Sequence, residues 1–168
     1  MKVAKYGVLV ALSLILSYVE SLIPIPVPIP GIKLGLANLV TIIAFYLEGR
    51  KCGWIVSLTR ICLSALLFGN LYSFAFSVAG GILSLIVMTV LLSSEKFSMT
   101  AISCAGGVAH NIGQIIAAAV MMKAGLVLLH IPYLMIGGII SGIIIGIIGS
   151  MIIGRIKKAG VKGYENEN

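Results

Sequence analysis

The chain has 168 residues, of which 60% are hydrophobic and 10% are charged, and its mean hydropathy is +1.15. Soluble domains carry about 25% charged residues, so this composition excludes an ordinary soluble domain and predicts a multi-pass protein of the cell membrane, embedded in the lipid bilayer. The net charge of +7 does not indicate nucleic-acid binding, because the basic residues lie at the ends of apolar runs and in the tails.

Six apolar runs predict an all-α membrane protein, a bundle of six transmembrane helices. The predicted spans are 6–23, 34–47, 54–68, 71–92, 97–122 and 133–153. About 20 apolar residues are needed to cross the hydrocarbon core, so the second run is short for a complete span. We expect a transmembrane domain over residues 1–154 and a basic cytoplasmic tail over residues 155–168.

The basic residues predict the orientation of the bundle. Six spans put both termini on one side, together with nine of the twelve basic residues: Lys2, Lys5, Arg50, Lys51, Lys96, Arg155, Lys157, Lys158 and Lys162. Lys33 and Lys123 would lie on the opposite side, and Arg60 would lie within the third span. Because the cytoplasmic loops and ends of membrane proteins carry an excess of Lys and Arg, we expect both termini to be cytoplasmic.

A proline-rich segment follows the first span directly. Its prolines alternate with apolar residues at Pro24, Pro26, Pro28 and Pro30. Proline has no N–H donor and moves the preceding residue out of the helical region, which predicts a stiff, extended segment. On the predicted topology this segment is extracytoplasmic, and we expect it to act as a gate over a pocket in the bundle.

Two charged residues lie within the predicted spans. Arg60 lies near the middle of the third span, and Glu20 is the one acid embedded in an apolar run, near the end of the first. A charge inside the membrane needs a partner or a function. Two interpretations stand side by side: a structural Arg–Glu pair that locks two helices together, or an arginine that binds an anionic ligand.

The fifth span holds the densest polar cluster, formed by His110, Asn111 and Gln114. Spacings of three and four residues place these side chains on one side of a helix, which favours the lining of a cavity over packing alone. Asn38 adds a further polar group on the short second run. In the sixth span, Gly138, Gly142 and Gly146 recur at the spacing of closely packed helices, and we expect them to pack inside the bundle.

Catalytic chemistry has no support in the motifs. There is no Walker motif, no nucleophile elbow, no zinc-protease motif and no aspartate at all, which argues against an enzyme that handles Mg²⁺-diphosphate. Cys52, Cys62 and Cys104 are scattered and predict reduced packing cysteines. We therefore expect no catalytic residues, no cofactor and no metal site.

Four sequence blocks carry a family resemblance. They are Pro30-Gly-Ile-Lys-Leu-Gly-Leu-Ala-Asn38, Arg60 before Leu66-Leu-Phe-Gly-Asn70, Ser77-x-Ala-Gly-Gly81, and Gly106-Gly-x-x-His-Asn-x-Gly-Gln114. Together they resemble the bacterial membrane family called heptaprenyl diphosphate synthase component I, also named the Gx transporter family. In topology that family is similar to the substrate-binding S components of energy-coupling factor transporters.

The resemblance implies a substrate-capture subunit with partners. S components bind a small molecule from outside, and they pair with a transmembrane coupling subunit and two cytoplasmic ATPases. By this resemblance the proline segment would be the gate, and Gly7 and Ala11 would dock the coupling subunit, although the usual docking pattern is Ala-x-x-x-Ala. Arg60 would bind an anionic group, with Glu20 in the same substrate-binding site and polar contacts from Asn38, His110, Asn111 and Gln114.

Two other functions stay open on the sequence. The family label favours a non-catalytic membrane subunit associated with heptaprenyl diphosphate synthase, in isoprenoid-quinone synthesis. A structural membrane scaffold is the third possibility. The identity of the ligand does not follow from these residues.

Overall fold

Six helices make up the structure, a computed structural model that describes residues 2–23, 35–123 and 129–165. The helices are α1 (Lys2–Leu22), α2 (Leu36–Leu47), α3 (Arg50–Phe68), α4 (Leu71–Ser93), α5 (Met99–Met122) and α6 (Ile131–Glu165). No strand occurs within these three ranges. The all-helical class and the order of the six predicted runs are confirmed.

The helices differ in length relative to a membrane. All except α2 are long and apolar enough to cross one. With 12 residues, α2 measures about 18 Å, whereas the hydrocarbon core is about 30 Å thick. With 35 residues, α6 measures about 50 Å and passes residue 154 as one continuous helix. The six-span count, the side of the termini and the separate tail remain predictions.

Polar contacts at one end of the bundle show that α1 and α2 run in opposite directions, and likewise α3 and α4. Lys5 Nζ donates to Glu48 Oε1 at 2.9 Å, which joins the start of α1 to the end of α2. Arg50 donates to Ser93 Oγ at 2.6 Å, which joins the start of α3 to the end of α4. We call this end of the bundle the basic end.

The helices form two groups of three. α1, α2 and α3 pack against one another, and α5 packs closely against both α4 and α6. Contacts of α3 with α4 and of α2 with α6 join the groups. Seven of the twelve residues of α2 are buried, so most of this short helix is packed against other helices of the bundle.

Glycines bring α5 and α6 into backbone contact. A Cβ added to Gly142 would lie 2.5 Å from Cys104 Cα, and one added to Gly146 would lie 2.5 Å from Thr100 Cα. A side chain at either position would collide with the main chain of α5. The predicted use of this glycine stripe for packing inside the bundle is confirmed.

Candidate functional site

α1 and α3 carry buried polar side chains, which we call the polar layer, and the contact of Arg60 with Ser17 joins the two helices. The polar layer consists of Ser13, Ser17 and Glu20 on α1 and Ser57, Arg60 and Ser64 on α3. Spacings of three and four residues place each set on one helix face. Ile15 and Val19 of α1 are exposed, so this helix has polar residues inside and apolar residues outside, as a membrane helix with an internal site does.

Arg60 is the buried cation of the polar layer and is 8% exposed. One terminal nitrogen, Nη1, donates to Ser17 Oγ at 3.4 Å. Its Nε is buried and has no hydrogen-bond partner among the residues that the structure describes. Because a guanidinium carries five N–H donors, Arg60 keeps the capacity to bind a further acceptor.

Glu20 links Arg60 to the start of α2. Glu20 is 3% exposed and attracts Arg60 electrostatically. Its Oε1 also accepts a hydrogen bond from the Gly35 N–H, immediately before α2. Glu20 therefore contacts the start of α2 and lies near enough to attract Arg60, while a direct pair of the two residues and its role in binding a ligand stay predictions.

The turn before α2 brings a third predicted residue to this place. Gly35 has φ = 82°, a left-handed conformation that glycine adopts without steric cost. The Asn38 N–H donates to Gly35 O at 2.8 Å, and Asn38 Nδ2 would lie 3.4 Å from a Cβ at Gly35. Glu20 and Asn38 therefore meet around the start of α2, and Glu20 lies near enough to attract Arg60.

The predicted cluster on α5 divides between two neighbouring helices. His110 and Gln114 pack on Gly80 of α4, where an added Cβ would lie 2.6 Å from His110 O and 2.8 Å from Gln114 Cγ. Asn111 faces α6 instead, and its Nδ2 donates to Leu134 O at 2.7 Å. Because neighbouring positions differ by about 100° around a helix, Asn111 contacts α6 while His110 and Gln114 contact α4. The cavity that the three side chains are expected to line stays a prediction.

The Asn111 contact leads to a stability prediction. Replacing Asn111 by Ala removes the buried hydrogen bond to Leu134 O, and we expect a loss of about 1 kcal/mol in unfolding free energy. Thermal unfolding of the purified chain measures the effect. Ser150→Ala is the control, since exposed Ser150 bonds only within its own helix in the described structure. Equal stability of Asn111→Ala and wild type would contradict this packing role.

The predicted docking residues lie on the open side of α1. Gly7 and Ala11 are exposed, and an added Cβ at Gly7 would meet nothing within 4 Å in the described part of the chain. The predicted gate residues Pro24, Pro26, Pro28 and Pro30 lie outside the described residues. Both roles therefore stay predictions.

An open cavity of about 440 Å³ lies elsewhere, near the connection of α3 and α4. Its described lining is mostly apolar: Cys62, Ala65, Leu66, Gly69, Asn70, Leu71 and Phe74. The six predicted ligand-contacting residues are absent from this described lining. In the described ranges, no group of three or more His, Cys, Asp or Glu residues is placed to hold a metal ion.

Sequence reasoning missed the serines of the polar layer. Ser17 and Ser57 are 1% and 2% exposed, yet serine is common enough in membrane helices that single positions attract no notice. The signal was the repeat of polar residues every three or four positions around Glu20 and around Arg60. A search for such stripes in apolar runs would have found both faces.

Comparison with known proteins identifies a family. Residues 9–152 match the model of the family described as heptaprenyl diphosphate synthase component I. No curated protein matches the chain. No solved structure matches it either.

Proposed function

The chain belongs to the heptaprenyl diphosphate synthase component I family, and from this premise we propose that it is a membrane subunit that captures a small molecule for uptake. In this role it is similar to the S components of energy-coupling factor transporters. The observation that carries the proposal is the buried Arg60, whose Nε has no partner among the described residues.

The cost of burying charge supports this assignment. Burying an arginine for structural reasons alone adds little to the stability of the fold, since the cost of desolvation offsets the attraction between the arginine and its counter-ion. A structural pair would gain most if every guanidinium donor were bonded. The Arg60 Nε has no hydrogen-bond partner among the described residues, and the Ser17 hydroxyl lies beside the guanidinium at 3.4 Å from Nη1.

Energy for uptake would come from separate subunits. A transmembrane coupling subunit and cytoplasmic ATPases would assemble with the chain. The uncovered stretch of α1 around Gly7 and Ala11 supports docking there, because small exposed residues let a partner helix approach closely.

A second candidate follows from the wording of the family description. The chain would be a non-catalytic membrane subunit that associates with a prenyl diphosphate synthase. Five helices apolar enough to cross a membrane would then anchor a soluble enzyme at the bilayer surface.

Purification of the tagged chain from native membranes separates the two candidates. We expect a coupling subunit, ATPases and a small molecule to be recovered with it. Recovery of a prenyl synthase without ATPases would contradict capture for uptake and favour the second candidate.

Uptake of the recovered small molecule by whole cells tests the site. We expect Arg60→Ala to lower uptake at least about tenfold, since loss of one buried charged contact costs about 2–5 kcal/mol. His110→Ala tests the second polar group, and Arg50→Ala at the basic end is the control. Unchanged uptake in both Arg60→Ala and His110→Ala would show that the site is assigned wrongly.

A further inference from the structure

The start of α2 lies inside the bundle, beside the charged pair. Ala37, in the first turn, is 1% exposed, and the Gly35 N–H donates to Glu20 Oε1. The first N–H groups of a helix have no partner within the helix, and the helix dipole makes this end partly positive. This geometry is suited to an anion.

A second observation points to an anion at the same place. Arg60 is more than nine-tenths buried, and its Nε has no hydrogen-bond partner in the described ranges. Arg60 Nη1 donates to Ser17 Oγ at 3.4 Å, and Ser17 lies one helical turn before Glu20 on the same face of α1. The Glu20 carboxylate in turn accepts from the Gly35 N–H at the start of α2, so the guanidinium and the start of α2 both lie near one acidic side chain.

We propose that Glu20 occupies the binding position of a carboxylate-bearing small molecule, which binds by displacing Glu20 from Arg60 and from the Gly35 N–H. This inference rests on the proposed capture function and names its substrate class. The Glu20 carboxylate has the size and charge of the group that this position accepts.

The charge balance favours a carboxylate over a diphosphate. Arg60 is the one buried basic residue in the described part of the chain. One guanidinium can bind one carboxylate through two parallel hydrogen bonds. A diphosphate would bring additional negative charge that neither Arg60 nor the start of α2 would balance, and an unbalanced buried charge is costly.

Displacement predicts that Glu20 weakens binding in the wild-type chain. Only those molecules in which Glu20 has left the position can bind the ligand. The apparent Kd is therefore the intrinsic Kd divided by the fraction of such molecules. Glu20→Gln removes the competing charge and leaves Arg60 in place. The variant should therefore bind carboxylates more tightly than the wild type does.

The experiment measures thermal unfolding of the purified full chain with benzoate, and with benzamide as its uncharged analogue. Trp54 is the single tryptophan, and its Nε1 donates to Thr89 Oγ1 at 3.0 Å, so its fluorescence follows unfolding. We expect benzoate to stabilise Glu20→Gln at concentrations about tenfold lower than wild type requires, with no effect of benzamide. Glu48→Gln, the same change at the basic end, should behave as wild type.

Other results would overturn the inference. Equal stabilisation by benzoate and benzamide, or no stabilisation of Glu20→Gln, would show that no carboxylate position exists. A larger effect of pyrophosphate than of benzoate would exclude the carboxylate class. A benzoate effect that persists in Glu20→Gln/Arg60→Gln would place binding away from Arg60.

Two measurements keep the test decisive if Glu20→Gln does not fold. Glu20→Ala gives a second variant without the charge. The second measurement is the thermal unfolding of the wild-type chain at higher benzoate concentration. Stabilisation by benzoate but not by benzamide, lost in Arg60→Gln, would support the site. No such preference for benzoate in the wild type would contradict it. These assays use the isolated chain, so a negative result would contradict the carboxylate position alone. The capture function would be contradicted by a different result, the recovery of a prenyl synthase without ATPases from native membranes.

Discussion

Replacing Arg60 by Gln is expected to destabilise the chain by about 3–5 kcal/mol, because the buried Glu20 carboxylate would lose the guanidinium that attracts it. Glu20 is 3% exposed, so water cannot readily solvate its carboxylate. Thermal unfolding followed by Trp54 fluorescence should show a fall in melting temperature on the order of 10 °C.

The double variant Glu20→Gln/Arg60→Gln separates charge from packing. It should be more stable than Arg60→Gln alone, because both buried charges are gone while two neutral side chains remain. Arg50→Gln is the control, since Arg50 is exposed and bonds Ser93 at the basic end. A double variant less stable than Arg60→Gln would show that Glu20 stabilises the bundle without Arg60.

Replacing Gly142 by Ala is expected to cost about 1–3 kcal/mol by overpacking the contact between α5 and α6. The added Cβ would lie 2.5 Å from Cys104 Cα and 2.7 Å from Ser103 O. Both are main-chain atoms, so a whole helix must move to accept the methyl group. Chemical or thermal unfolding of the purified variant measures the loss.

Two other glycines provide a matched series. Gly137 lies on the same helix, and an added Cβ there meets nothing within 4 Å in the described structure, so Gly137→Ala should be neutral or slightly stabilising. Gly81→Ala should be milder than Gly142→Ala, because its added Cβ meets mainly the flexible end of Ile61, at 2.4 Å from Cδ1. A Gly142→Ala variant as stable as Gly137→Ala would contradict the backbone contact.

The helices were largely predictable because their signal is local. Each apolar run sums over many residues, and the observed bounds Leu71–Ser93 and Met99–Met122 differ little from the predicted 71–92 and 97–122. The helix also continues through Arg155 and Lys157 to Glu165, so the predicted tail from residue 155 begins within α6 and its separation from the membrane domain stays a prediction. Charged residues disfavour the membrane but do not disfavour a helix.

The candidate site was only partly predictable. Arg60 and Glu20 were found because a charge in an apolar run is conspicuous. Asn111 was grouped with His110, but the structure turns it toward α6, where it donates to Leu134 O. Which neighbour a side chain meets depends on where the adjacent helices lie, and spacing along one helix carries no information about that.

The sequence by itself determined that this is an apolar, helical chain with one arginine and one acid inside its apolar runs, since these properties belong to single segments. Only the tertiary structure decided that Glu20 contacts the start of α2 and lies near enough to attract Arg60. That arrangement depends on the short α2 packing against both α1 and α3. Such contacts join residues far apart in the chain, so they arise only when the helices pack.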